Sequence, residues 1–344
     1  MGSGIRTVIE AHLGEGVMSK LIDMTYGSGG KQTSSLIQEI FLEAFHNKII
    51  DRLEDSALIS VKGKIAYTTD SFVVTPMFFP GGDIGKLAVC GTVNDLSVMG
   101  AVPRYLTAGF ILEEGVSLET LKLVVASMAK AAKEAKVQIV AGDTKVVEGR
   151  GGIYINTSGI GEVIKKGISI ANCRVGDVII LSGYLGEHHA AILSSRMEIE
   201  NSIQSDCAPL NAMVLKLIKE KIDIHCMRDV TRGGLATVLN EAAEKSGCCV
   251  ELEEELLPIS REVKGFCDIL GLDPLYMANE GKLIAVVPKE QAEKALMVMK
   301  SSKYGKNAAV IGRIIEGKDV VMTTALKGTR RIDVLYGEGL PRIC

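Results

Sequence analysis

The chain has 344 residues, of which 47% are hydrophobic and 4% aromatic, and its formal net charge at pH 7 is −3. This length exceeds what one hydrophobic core usually holds, so two domains with largely aliphatic cores are expected. No basic block or basic-aromatic alternation is present, which argues against a nucleic-acid partner. No apolar run could cross a bilayer and no signal-peptide order is seen, so the sequence predicts a cytoplasmic protein without a membrane segment.

The eight cysteines are scattered along the chain, and none forms a C-x-x-C pair. In a cytoplasmic protein they are expected to be reduced thiols, and their spacing argues against a zinc knuckle. Cys344 differs from the others because it is the last residue. Residues 1–17 fit poorly with the segment that follows, and we interpret them as an extension or a start-site artefact.

Helices and strands alternate in the first half of the chain, from about residue 20 to 168. Periodic apolar residues and a Ser117 N-cap predict helices over 36–45, over 84–99 and from 117 onward. Apolar runs bounded by glycines predict strands at 56–61, 64–69, 138–141 and 152–160, the first two paired around Gly63.

The same pattern restarts at about residue 169. Strands are predicted at 177–182, 283–287 and 309–315, and helices at 187–195, 235–243 and 291–300. Two α+β halves of similar size are therefore predicted, over residues 20–168 and 169–327. The remaining residues, 328–344, are predicted to form a flexible tail that ends in Cys344.

A glycine-rich loop with the sequence YGSGGK precedes the first predicted helix, at residues 26–31. Exposed backbone N–H groups at such a loop attract anions, and Lys31 could reach a phosphate. The spacing is not that of a P-loop, so a flexible turn is an equally good interpretation of these residues alone. Gly29, Gly30 and Lys31 are nevertheless candidates for phosphate binding.

Aspartates recur at the predicted edges of strands and loops, namely Asp55, Asp70, Asp83, Asp95, Asp143 and Asp229. Each one alone could be a turn or cap residue. Asp95 is harder to dismiss because it shares an apolar helix face with Leu87 and Ala88, where an unpaired carboxylate is costly. Asp143 directly follows a buried strand, a common place for ligand groups. Mg²⁺ joins carboxylates to phosphates, so this many acids predict a Mg-ATP site with more than one metal.

Two further segments lie in the second half. In the sequence DVTRGG, which starts at Asp229, Arg232 and Gly233 could approach a nucleotide from the second domain, although a helix-entry loop is the alternative. In the sequence NEGK, Glu280 precedes a predicted strand and is interpreted either as a general base or as a turn residue.

These segments together resemble a known family. The motifs GSGGK, TTDSFVVTP, GGDIGKLAVCGTVNDLSVMGA, AGDTKV, MRDVTRGG, DPLYMANEGK and the terminal PRIC occur in this order in the HypE hydrogenase maturation factors. The match covers roughly residues 25–344. HypE is similar to aminoimidazole ribonucleotide synthetase, thiamine-monophosphate kinase and selenophosphate synthetase. The resemblance implies a two-domain α+β fold, with an N-terminal domain that binds ATP and dimerises and a C-terminal α/β domain.

The resemblance also implies an ATP-dependent carbamoyl dehydratase that serves [NiFe] hydrogenase maturation. The carbamoyltransferase HypF would load a carbamoyl group onto Cys344, and ATP would phosphorylate the amide oxygen. Loss of phosphate and protons would leave a thiocyanate, whose cyanide passes to iron held by the HypC–HypD complex. The enzyme is expected to be a homodimer that requires ATP and Mg²⁺.

Matched residue by residue, the family's metal-binding acids fall on Asp55, Asp70, Asp95 and Asp229, with Asp143 as a further candidate. The predicted ATP site is completed by Gly29, Gly30, Lys31, Asn94, Thr144, Arg232 and Gly233. Glu280 and Lys145 are the candidates for the base that removes the amide protons, and a lysine base would need a lowered pKa.

Two alternatives remain at this point. One is another ATP-dependent enzyme of the same superfamily, such as a small-molecule kinase or selenophosphate synthetase. The latter is expected to carry a cysteine or selenocysteine beside the glycine loop, and residues 25–35 contain none. The other alternative is a non-catalytic ATP-binding scaffold for maturation partners. Neither superfamily rival explains the terminal PRIC.

Overall fold

The computed structural model describes residues 20–28, 30–54 and 56–335. The longer helices are α1 (Lys31–Leu36, a π-helical segment Ile37–Leu42, and Glu43–Phe45), α2 (Ile84–Val98), α3 (Leu118–Ala135), α4 (Glu187–Arg196), α5 (Asn211–Lys219), α6 (Gly234–Ser246), α7 (Arg261–Leu270) and α8 (Ala292–Lys300). The strands are β1 (Ile65–Phe72), β2 (Phe78–Phe79), β3 (Gly82–Asp83), β4 (Ala101–Glu113), β5 (Gln138–Val147), β6 (Ile153–Val163), β7 (Val178–Leu181), β8 (Cys226–Asp229), β9 (Cys249–Glu253), β10 (Leu283–Val287), β11 (Ala309–Ile315), β12 (Val320–Thr323) and β13 (Thr329–Arg331).

The first sheet has the strand order β1-β6-β4-β5, in which only β4 and β5 run parallel. Helix α2 packs across β1, β6 and β4, and α3 packs against α2. Side chains alternate along a strand, so one set faces the helices and the next set faces away. The face turned away from α2 carries exposed apolar side chains, including Ile65, Tyr67 and Ile111. The first sheet therefore has one covered face and one open face.

The second sheet has the strand order β13-β12-β9-β11-β7-β10-β8 and is covered by helices on both faces. In β10, Ile284 and Val286 join the apolar cluster that contains residues of α6. The alternate residues Leu283, Ala285 and Val287 join the cluster with α5 and α8. Burial on both faces explains why this strand is an uninterrupted apolar run.

Most predicted elements are confirmed. Helix α3 begins where expected, because Ser117 Oγ accepts the Thr120 N–H at 3.0 Å as an N-cap. The predicted strand at 56–61 is wrong: within the described residues this segment has no strand partner, and β1 pairs instead with β6. Leu58 in this segment is 78% exposed, so the apolar spacing that predicted a strand does not mark a buried one in this chain.

The predicted start of the flexible tail at residue 328 also needs correction. Thr329–Arg331 form strand β13 against β12, and Ile332 is completely buried. Asn240 Nδ2 donates a hydrogen bond to the Ile332 carbonyl at 3.0 Å, which fixes the chain to helix α6. The chain is thus held in the second sheet as far as Ile332. The division between domains at 168 and 169 stays a prediction.

No helix in the described part of the chain is long and apolar enough to cross a membrane. The predicted cytoplasmic location stays a prediction. The seven cysteines of the described residues are free thiols, as expected.

Candidate active site

Two of the predicted acids meet between β1 and α2. Asp70 lies on the helix-covered face of β1, where Thr92 Oγ1 of α2 donates a hydrogen bond to its Oδ2 at 2.9 Å. Asp95 lies three residues after Thr92, and Thr68 Oγ1 of β1 donates to its Oδ2 at 2.9 Å. Residues three apart on a helix share a face, so α2 presents both contacts to β1. Asp95 is therefore not an unpaired carboxylate on an apolar helix face, because it accepts a hydrogen bond from Thr68 of β1.

Asp229 brings a third carboxylate from the second domain. It ends β8, is 8% exposed, and shares a hydrogen bond with the Asp95 carboxyl group. Burial, and then the charge of Asp95, raise the pKa of Asp229 to about 7. The same two causes raise the pKa of Asp70. Burial first, and the facing carboxylate second, therefore disfavour the ionised forms of Asp70 and Asp229.

Glu280 and Arg232 face this acidic cluster. Burial, and then the charges of Asp206 and Asp229, raise the pKa of Glu280 well above its ordinary value. The Arg232 guanidinium opposes this rise and also lowers the pKa of Asp70. We call Asp70, Asp95, Asp229 and Glu280 the carboxylate cluster. It draws on both domains, and Arg232 is the cation whose charge acts on Asp70 and Glu280.

The side chain of Asn94, a predicted ATP-binding residue, is hydrogen-bonded across the junction between the two domains. Its Nδ2 donates hydrogen bonds to the carbonyls of Ala208 at 3.0 Å and Glu280 at 3.3 Å. Its Oδ1 accepts the Leu210 N–H at 2.8 Å. The side chain is 2% exposed. Asn94 thus fastens α2 to the second domain, and contact with ATP stays a prediction.

The structure does not bring Asp143 and Lys145 to the carboxylate cluster within one chain. They form an exposed ion pair on β5, with Lys145 Nζ 2.8 Å from Asp143 Oδ2. The hydrogen bonds from Lys145 lower the pKa of Asp143. Strands β6 and β4 separate β5 from β1, a distance of about 14 Å at ~4.8 Å per strand. The sheet register also places both side chains on the open face, because Lys145 pairs with Ile111.

A cavity of about 250 Å³ lies between α1, the segment 49–57 and β5. Its walls include the apolar side chains of Ile37, Phe41 and Ile139, together with Asp143 and Thr144. Apolar walls with a few polar groups at one end are typical of small-molecule sites. The cavity therefore brings two predicted ATP-binding residues next to the helix that follows the glycine loop.

Of the remaining predicted residues, Gly30, Lys31 and Gly233 lie at the start of helices. Lys31 begins α1 with an exposed side chain, directly after Gly30. Gly233 has a φ of +78°, a left-handed conformation that favours glycine and lets the chain turn into α6. Gly29, Asp55 and Cys344 lie outside the described residues.

Three charged residues near Glu280 were missed from the sequence, namely Glu187, Asp206 and Lys282. Lys282 Nζ is 3.0 Å from Asp206 Oδ2 and 3.3 Å from Glu187 Oε2. Asp206 lies in a stretch without regular structure, and no motif or spacing pointed to it. Only Lys282 stood in a quoted motif, where its charge could have been noted as unusual before a buried strand.

The carboxylate cluster can attract cations, because bringing a positive ion between ionised carboxylates removes their mutual repulsion. Among the described residues, no group of three or more His, Cys, Asp or Glu side chains is placed so that it could hold a metal ion. Mg²⁺ does not need such a group, since it is commonly held by one or two carboxylates together with substrate phosphates and water. The donor set therefore fits this ion.

Comparison with known proteins decides the family. Residues 53–163 match the family AIR synthase related protein, N-terminal domain, and residues 174–324 match its C-terminal domain. The carbamoyl dehydratase HypE of Rhodobacter capsulatus is 48% identical over an alignment of 335 positions, which covers 94% of this chain and 98% of that protein. The chain belongs to the HypE family of carbamoyl dehydratases.

Solved HypE structures agree with this assignment. A crystal structure of the hydrogenase maturation protein HypE in complex with ATP has a TM-score of 0.90 and 49% identity, over 93% of this chain and 99% of that one. HypE in a crystal structure of a HypE–HypF complex has a TM-score of 0.76 and 50% identity, over 88% and 100% of the two chains. The predicted HypE family, enzyme class and two-domain α+β fold are therefore confirmed.

Proposed function

We propose that this chain uses ATP to dehydrate a carboxamide carried on the sulfur of Cys344 and so supplies cyanide for the iron of [NiFe] hydrogenase. The observation that carries this proposal is the carboxylate cluster at the junction of the domains, with Arg232 beside it. Family membership supplies the reaction class. The solved HypE–ATP complex supports ATP as the co-substrate.

Magnesium is proposed as the ion that the carboxylate cluster holds. Its proposed ligands in the described chain are drawn from Asp70, Asp95 and Asp229, of which one or two would bind the ion together with ATP phosphates and water. Asp55 and Asp143 remain further candidates from the sequence. When bound, Mg²⁺ would neutralise charge on the ATP phosphates. Arg232, Gly233, Gly30 and Lys31 are proposed to supply positive potential and N–H groups for the same phosphates.

The cavity beside β5 is proposed to receive the nucleoside part of ATP. Phe41 and Ile139 offer apolar surface to a flat base, while Asp143 and Thr144 offer polar atoms at the rim. This assignment gives Thr144 the cofactor contact that was predicted for it. It leaves Asp143 at the nucleotide rather than with the other acids.

The amide oxygen attacks the γ-phosphorus of ATP, and ADP leaves. The phosphorylated carboxamide then loses two protons from nitrogen, and its carbon–oxygen bond breaks with release of phosphate. One proton accompanies the phosphate as HPO₄²⁻ and the other is released, which leaves a nitrile on sulfur. Phosphorylation is needed because an unmodified amide oxygen is a poor leaving group.

Glu280 is proposed as the base that accepts an amide proton. Burial and the charges of Asp206 and Asp229 raise its pKa, which makes it a stronger base than an ordinary carboxylate. Lys145 is the weaker candidate, because it is exposed and held by Asp143 on the open face. Glu280→Gln should keep ATP binding and slow dehydration by about 10²-fold, whereas Lys145→Met tests the alternative.

The tail is proposed to carry the substrate between sites. Twelve residues follow Ile332, the last residue held by both α6 and β12, so Cys344 can reach about 40 Å at ~3.3 Å per residue. Tethering gives the amide a high effective concentration at the ATP site. HypF is the proposed carbamoyl donor and the HypC–HypD complex the proposed cyanide acceptor. The solved HypE–HypF complex supports the first of these partners.

A homodimer is proposed to form through the open face of the first sheet. Ile65, Tyr67 and Ile111 are 43%, 66% and 46% exposed there, and large apolar side chains exposed on an uncovered sheet face are characteristic of an interface. Asp143 and Lys145 lie on the same face. In such a dimer they would face the second copy rather than solvent.

The deciding experiment is intact-mass analysis after incubation with the carbamoyltransferase and its substrates, before and after addition of Mg-ATP. The carbamoylated chain should become lighter by one water, and the change should map to Cys344. Cys344→Ala should remain folded and bind ATP but never acquire the nitrile. A nitrile on Cys248, or a cyanide-carrying product from Cys344→Ala, would refute the proposal.

A further inference from the structure

The Asp206 carboxylate is surrounded by donors from the segment that carries Glu280. Its Oδ1 accepts the Glu280 N–H at 3.1 Å, and its Oδ2 accepts the Gly281 N–H at 3.0 Å and the Lys282 ammonium at 3.0 Å. The Asp206 side chain is only 1% exposed. Burial alone would raise the pKa of Asp206, yet the charges of Lys282 and His188 lower it, so the group is anionic at neutral pH.

The two segments approach so closely that only glycine fits at position 281. A Cβ on Gly281 would lie 1.9 Å from the Asp206 carbonyl oxygen, inside any allowed contact. The carboxylate therefore reaches two successive N–H groups without an intervening side chain. Charged acceptors of this kind make stronger hydrogen bonds than neutral ones.

The other side of the Glu280 peptide is held from the first domain. Asn94 Nδ2 donates to the Glu280 carbonyl at 3.3 Å, while the same side chain binds Ala208 and Leu210. Glu280 thus has its N–H fixed by Asp206 and its carbonyl fixed by α2. Both backbone hydrogen-bonding groups of Glu280 are therefore paired, which holds the Cα from which its carboxylate extends.

We propose that Asp206 is a positioning residue for the dehydration, which holds the Glu280 backbone so that its carboxylate stays in line with the reacting amide. The inference rests on the proposed role of Glu280 as the base. The Asp206 carboxylate makes its hydrogen bonds to the Glu280–Lys282 segment and acts on Glu280 through the backbone. Lys282, shared with Glu187, keeps the Asp206 carboxylate turned toward the backbone.

The test uses single-turnover dehydration of the carbamoylated chain, followed by mass at saturating and at limiting ATP. Asp206→Asn keeps the shape but places an amide N–H₂ against donor groups, so one or more of the three contacts must break. A misplacement of about 1 Å costs roughly 10²-fold in rate. We expect a loss of about 10- to 100-fold at saturating ATP, with the ATP concentration for half-maximal rate changed less than about 3-fold.

Two further variants make the result specific. Asp177→Asn is the matched control, since Asp177 is also a buried acid, which accepts the Arg174 N–H at 2.8 Å and pairs with His225 at 2.8 Å away from the cluster. It should dehydrate at the wild-type rate. The double variant Asp206→Asn with Glu280→Gln should be within about 3-fold of Glu280→Gln alone, because a residue that acts through Glu280 has nothing left to position.

The outcomes separate this inference from the proposed function. If Glu280→Gln dehydrates normally, the assignment of the base fails. If Glu280→Gln is slow but Asp206→Asn is normal, only the positioning role fails. Additive losses in the double variant, or loss of ATP binding in Asp206→Asn, would also overturn it, because Asp206 would then act on something other than Glu280.

Discussion

Replacing Asp229 with asparagine is expected to stabilise the metal-free protein while ending ATP turnover. Asp229 is 8% exposed, and burial together with the charge of Asp95 raises its pKa from the ordinary 3.8 to about 7. A rise of about three units corresponds to a penalty of about 4 kcal/mol for keeping this carboxylate ionised in the folded state. Asparagine does not ionise, so the variant escapes this penalty.

The sign of the pH dependence follows from proton binding. The unfolded chain releases the Asp229 proton near pH 4 and the folded chain near pH 7. The contribution of the Asp229 carboxyl group to the free energy of unfolding is therefore fully present below about pH 4 and is lost as the pH rises to 7. Two units of pH between 5 and 7 correspond to about 2.7 kcal/mol, so the advantage of Asp229→Asn should grow by up to that amount and then level off.

The measurement is thermal unfolding in EDTA at pH 5, 6, 7 and 8. About 2 °C per kcal/mol is expected for a protein of this size, so the difference in Tm should widen by roughly 5 °C between pH 5 and 7. Asp206→Asn should show the opposite sign at neutral pH, because the pKa of Asp206 is lowered and its ionised form is stabilising. A constant difference in Tm across this range, or a less stable Asp229→Asn at every pH, would refute the reasoning.

Two further variants test the site and the interface. Asp95→Asn should abolish Mg-ATP turnover with the fold retained, as judged by circular dichroism, and wild-type turnover would remove Asp95 from the proposed ligand set. Tyr67→Glu should convert the dimer to a monomer in light scattering, because it places a charge on the 66% exposed ring position of the open face. Ile269→Glu, at an 83% exposed position of α7, should leave the dimer intact, and equal dissociation by both variants would contradict the assigned interface.

The elements that could be predicted from the sequence are those with a strong local signal. Helix α3 has both a Ser117 cap and apolar residues at helical spacing, and β10 is a short apolar run bounded by Gly281 and Pro288. The segment 56–61 is also rich in apolar residues but has no partner strand among the described residues. A strand is stabilised by its neighbours, so apolar residues alone cannot tell whether such a partner is present.

The sequence named candidate residues for the site but not their arrangement in space. Asp70, Asp95 and Asp229 were named because carboxylates at strand and helix edges suit a magnesium nucleotide. Asp143 was grouped with them, yet strand order and side-chain alternation put it on the other face of the sheet, facts that no local pattern contains. Asp206 was missed for a related reason, because its contact with Glu280 joins positions 74 residues apart.

The carboxylate cluster couples the two domains, and this coupling can be measured. Asp70 and Asp95 belong to the first sheet and its helix, whereas Asp229 and Glu280 belong to the second domain. A ligand that binds between them must favour the docked arrangement by its binding free energy, about 2.7 kcal/mol at one hundred times its Kd. Amide hydrogen exchange at residues 206–210 and 280–282 should therefore slow by about 100-fold with Mg-ATP. ATP with EDTA should have little effect, since the repulsion among the carboxylates remains. Slowing that is confined to the first domain would mean that the nucleotide does not bridge the junction.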